Sequence, residues 1–117
     1  METSARKLRL KAAWQDEMGL GNSAFANGDM AAAFGHFERA HILGQRMTWL
    51  HVRAHCGMLR IGWSRRDGFD IAGQLLRIIA AVLMSRIWVP AGNTGGSNVS
   101  AMQRMPVPDD LRRILDA

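Results

Sequence analysis

Residues 20–58 read LGNSAFANGDMAAAFGHFERAHILGQRMTWLHVRAHCGM, and this stretch decides the fold. Asn27-Gly28-Asp29 interrupts a helical pattern: glycine takes the left-handed conformation that ends one helix, and Asp29 is placed to cap the next. A second interruption, Gly44-Gln45-Arg46-Met47-Thr48, is equally short. Short turns between consecutive helices make antiparallel neighbours. All four histidines, His36, His41, His51 and His55, fall on the two segments flanking the second turn.

Working outward, a first helix is expected from about Ser4 to Ala26, with Leu8, Trp14, Met18 and Phe25 as its buried stripe. The second covers Met30 to Leu43. The third starts near Thr48, read as its cap, and runs to about Arg65, before Arg66-Asp67-Gly68 breaks it. A fourth follows from Phe69 to about Ile87, with Ile71, Leu75, Ile78, Ile79, Val82 and Leu83 as a broad apolar face toward the core. Pro90 closes it, and residues 91–100 are a Gly-, Asn- and Ser-rich loop. Met105-Pro106-Val107-Pro108 is extended, and Asp109-Asp110 opens a short last helix, acids at its positive end. The expected fold is all-α: two stacked antiparallel helical hairpins over residues 1–89, with a C-terminal loop and short helix (90–117) laid across them, one domain over 1–117.

Composition agrees. The 117 residues suffice for one core, 48% are apolar, and good helix formers outnumber β-branched residues. The net charge of +5 comes mainly from arginine, but the basic residues are scattered and no base-reading motif accompanies them, so specific nucleic-acid binding is not expected. One cysteine, Cys56, excludes an intramolecular disulfide and fits a reducing compartment. The most apolar run, Ile78 to Ser85, is too short to cross a bilayer. A cytoplasmic protein without a membrane partner is expected.

Leu20-Gly21, Gly28-Asp29, Ala33, Phe37 and Ala40 resemble a tetratricopeptide repeat, in which small residues let two helices approach and an aromatic fills the gap. Ala24 stands at the tyrosine-like position and Gln45 replaces the closing proline. The likeness covers about one repeat of 34 residues and implies a helical hairpin; a peptide-binding array normally takes roughly three. Phe37-Glu38-Arg39-Ala40-His41-Ile42-Leu43-Gly44-Gln45, His51 with His55, and Pro90 with Gly92-Asn93-Thr94-Gly95-Gly96 are similar to a small bacterial family of unknown function. That resemblance implies no activity.

The chemistry lies at the second turn. Phe34, Glu38, His41 and Gln45 share one face of the second helix, and His51, His55, Met58 and Gly62 share one face of the third. Antiparallel packing puts His41 level with His51 and Glu38 level with His55. One carboxylate and three imidazoles converging there suit a divalent transition metal, zinc or iron foremost. The expected ligands are Glu38, His41, His51 and His55. Asp70 and Gln74 on the fourth helix are placed to add a ligand or a supporting hydrogen bond, and Asn93 or Thr94 to cover the pocket. His36 lies about 140° from His41 around the helix and is left out. Cys56 points away from His55, and no serine has a histidine beside it in sequence. The four tryptophans are expected chiefly in the core.

The leading functional reading is thus metal binding. A tetratricopeptide-like interaction adaptor, with a protein partner or a homodimer and no ligand chemistry, is the alternative. A metal-dependent enzyme is the third reading and needs an open coordination position beside a cavity.

Overall fold

The computed structural model describes residues 4–85, 87–97, 99–100 and 102–117. Five helices follow in order: α1 (Ser4–Ala26), α2 (Met30–Gly44), α3 (Thr48–Ser64), α4 (Gly68–Met84) and α5 (Asp109–Asp116). No strand occurs among the described residues. α1 packs on α2 and α3 on α4, giving the two stacked hairpins, and α2 against α3 joins them. α5 lies against α1 and α2, where Arg6 donates to the Leu115 carbonyl and Arg9 to that of Ala117.

Local chemistry sets the boundaries. Gly28 is left-handed (φ 81°), and the Asp29 N–H returns to the Ala24 carbonyl, which closes α1. The Asp29 carboxylate then accepts from Ala32 N–H at 3.1 Å and opens α2. Asp67 does the same for α4 through Asp70 N–H. Thr48 does not cap α3. Met47 holds that position without a side-chain bond, and the Thr48 hydroxyl accepts from Ser85 at 3.0 Å, tying the start of α3 to the end of α4.

Phe37 is wholly buried between two glycines. A Cβ at Gly21 would stand 2.5 Å from its ring and one at Gly57 2.8 Å. The missing side chains let α1, α2 and α3 close on one aromatic. Met58, Ile61 and Ala33 complete this cluster, while Leu10, Trp14, Ala40, Leu43, Leu50 and Leu111 form a second under α5. Leu10, not Leu8, therefore anchors α1, and Leu8 is exposed. Of the tryptophans only Trp14 is in the core; Trp49 and Trp63 are exposed.

α4 reverses the expectation from its pattern. Its buried residues are Asp70, Gln74 and Ala81, whereas Leu76 and Leu83 are each 68% exposed and Leu75, Ile79 and Val82 about half. Hydrogen bonds fix this choice. Asp70 accepts from Ser97, Gln74 donates to the Gly95 carbonyl, and Arg77 donates to that of Val99. The polar edge of α4 thereby holds the loop that follows it, and the apolar stripe is turned outward.

Candidate metal centre

α2 and α3 bring His41, His51 and His55 together. The three rings are 3%, 7% and 2% exposed, with centroids 4.6 Å apart from His41 to each of the others and 4.9 Å between His51 and His55. One nitrogen from each ring lies within 4.8 Å of the other two. Tetrahedral zinc with bonds of about 2.1 Å needs nitrogens about 3.4 Å apart, so the cluster would draw in from its spread of up to 4.8 Å to hold one.

Hydrogen bonds orient two of the rings. His41 Nδ1–H donates to the Asn93 carbonyl at 2.7 Å. Because a carbonyl only accepts, Nδ1 carries the proton and Nε2 keeps its lone pair. His55 Nδ1–H donates to Gln74 Oε1 at 2.7 Å. The Gln74 amide is itself held by donation from Nε2 to the Gly95 carbonyl at 3.0 Å, so its oxygen must face His55. Nε2 of His55 is thus also a lone-pair donor. The Gln45 carbonyl approaches His51 without closing a hydrogen bond, leaving Nδ1 buried and unpartnered.

Burial keeps all three rings neutral. It holds His41 well below the usual imidazole range, helped by the neighbouring His55 and His51. It brings His51 down to about 4 and His55 to about 3, His55 also feeling His51 and Arg77. Metals need the neutral ring, so the cluster is in the ligating state at pH 7.

The loop after α4 forms the wall. Asn93, 1% exposed, is its hub: its amide donates to the Ser100 and Gln103 carbonyls at 2.8 and 2.7 Å, and its Oδ1 accepts from Gly95 N–H at 2.9 Å. Gln45 donates to the Pro90 carbonyl at 3.0 Å. Beyond the rings is a cavity of about 110 Å³ bounded by Arg77, Ala80, Ala81, Met84, Trp88 and Val89, among others.

Glu38 stands apart from the three-ring group. Its carboxyl is half-buried beside Thr94; burial raises its pKa and the Thr94 hydroxyl pulls the other way. Asp70 is likewise engaged elsewhere, with Ser97. His36 pairs with Glu17 at 2.8 Å, outside the cluster. Cys56 is exposed. Arg77 escaped the sequence reading. Its signal was Asp70, Gln74 and Arg77 at i, i+4 and i+7, one polar edge on an otherwise apolar helix.

Gln74 gives a direct test. Gln74→Leu removes the acceptor that orients His55, and loss of such a partner costs about 10–100-fold in metal affinity. For protein loaded with zinc, chelator competition should show that drop while the far-ultraviolet circular dichroism stays helical. Unchanged affinity would mean that His55 needs no orienting partner.

Fold and site together define a small helical-hairpin protein with a buried three-histidine cluster. The chain belongs to the family described as protein of unknown function (DUF3703), matched over residues 8–115. No curated protein and no solved structure shows detectable similarity to it. Among the described residues no helix is long and apolar enough to cross a membrane.

Proposed function

We propose that the protein binds one divalent transition-metal ion, zinc or ferrous iron, through His41, His51 and His55, in a reducing, cytoplasmic setting. One observation carries this reading: three buried imidazoles in mutual contact, two of them with the far nitrogen engaged so that the near lone pair is free. A packing role would be served more cheaply by apolar side chains, since burying polar groups costs free energy unless they are paired. Three neutral nitrogens suit zinc and leave a fourth position open, as catalytic rather than structural sites do. Glu38 is not among the ligands proposed, because its carboxylate lies outside the three-ring group.

Metal analysis of protein prepared without a histidine tag tests the reading. About one equivalent per chain is expected, falling below about a tenth in His51→Ala/His55→Ala, as expected for a site whose ligands are lost. Less than a tenth in the parent chain, unchanged by the double substitution, would overturn it.

The outward stripe of α4 favours a second, compatible reading, that of an interaction protein. Leu76, Ile79 and Leu83 present an uncharged face that monomers rarely leave bare. An uncharged apolar stripe is complementary to itself, so the occupant proposed is a second copy of the chain related by a twofold axis. Sedimentation equilibrium should show a dimer at micromolar concentration and a monomer for Leu76→Glu/Leu83→Glu; a monomeric parent chain would remove this reading.

A further inference from the structure

The three histidines border the 110 Å³ cavity, and the residues around that cavity have an unusual charge balance. They include three neutral imidazoles and the Arg77 guanidinium, but no carboxylate. Asp70, the acid whose charge acts on Arg77, is hydrogen-bonded to Ser97 and does not border the cavity. A divalent ion on the histidines would bring two more positive charges to a site that already holds one. The pocket opens to solvent past Met84 and Met102, 46% and 67% exposed, but charge set against its apolar walls is still less well solvated than in water. The chain supplies no anion here, and an anionic ligand would supply the missing counter-charge.

The shape narrows the class. Arg77 is braced by donation to the Gly73 carbonyl at 3.2 Å and the Val99 carbonyl at 2.7 Å, which aligns a planar cation of the kind that pairs well with carboxylates. The remaining wall is apolar, formed by Ala80, Ala81, Met84, Trp88 and Val89. Since about 10–15 Å³ of such space holds one water, the cavity has room for a small organic molecule. A single guanidinium and apolar walls disfavour a polyanion.

Building on the metal reading above, we propose that the cavity seats a small aliphatic monocarboxylate. Its carboxylate occupies the open position of the three-histidine centre beside Arg77, and its short chain lies against Ala80, Ala81 and Met84. Metal and carboxylate then bind cooperatively, each supplying charge the other lacks. Reciprocity follows: whatever factor the carboxylate adds to metal affinity, the metal adds to carboxylate affinity.

The test uses the full chain loaded with Co²⁺, whose visible absorption reports its fourth ligand, titrated with propionate and, separately, with the neutral isostere propionamide. Saturable spectral change with propionate alone is expected, together with metal retention against a chelator strengthened about tenfold, a coupling of ordinary size. Arg77→Met keeps the aliphatic stem and should bind Co²⁺ while losing about tenfold in propionate affinity. Arg77→Lys, which keeps the charge without the planar fork, should fall between the two and serves if the Met variant does not fold. Bound cobalt whose spectrum ignores propionate, or answers propionamide equally, overturns the carboxylate seat and leaves the metal reading standing. A Met variant that responds like the parent chain also overturns it. Failure to bind cobalt at all removes both.

Discussion

Lowering the pH from 7 to 5 is expected to cost the metal-free protein about 4 kcal/mol of folding stability through His51 and His55 alone, roughly half from each. Both rings have a folded pKa below their ordinary value of 6.5, so the unfolded chain binds the extra protons. Stability is fully present above about 6.5 and is lost as the pH falls, until it levels off near 4 for His51 and near 3 for His55. His41, also depressed by burial, adds in the same direction. Glu38 works in the opposite sense: its raised pKa makes its ionised form unfavourable in the folded chain, a penalty relieved as the pH falls through that pKa. Urea denaturation with chelator at pH 7, 6 and 5 checks the prediction. The loss would be a large share of the 5–15 kcal/mol typical of domains. A midpoint that does not move over this range would show that the rings take up protons in place.

Gly95→Ala should destabilise the fold by about 3 kcal/mol and weaken the site as well. Gly95 is left-handed (φ 80°), a conformation costing other residues about 1–2 kcal/mol. A Cβ there would stand 2.6 Å from His41 Cδ2, and that ring could yield only by stretching its hydrogen bond to Asn93 and shifting toward the other two histidines. Gly95→Asn separates the causes, because asparagine tolerates the left-handed region but keeps the Cβ. It should lose metal affinity nearly as much as the alanine variant while losing less stability. An alanine variant with the parent's stability and affinity would show that the loop does not press on the cluster.

The sequence made the hairpins readable because their punctuation is local. Gly28 with Asp29, and Asp67 ahead of Gly68, act within a few residues of themselves, and the helices begin and end there. The meeting of His41, His51 and His55 could be anticipated for the same reason: one short turn fixes which faces of α2 and α3 oppose. Glu38 shares the His41 face, but the loop delivers Thr94 beside it, and the pattern on α2 carries no information about a segment fifty residues away. α4 shows the other limit. Its period marks an apolar face and a polar edge; which of them turns inward depends on acceptors at Gly95 and Val99 and on His55, none of them on that helix.

The loop grips the cluster with its main chain. Its contacts to His41, Gln45 and Gln74 are the carbonyls of Asn93, Pro90 and Gly95. A carbonyl is present whatever side chain the residue bears. Evolution can therefore rewrite most letters of this segment without touching the grip, provided the bend survives. The fixed points should be those whose bend or amide the grip itself needs, Gly92, Asn93 and Gly95 foremost.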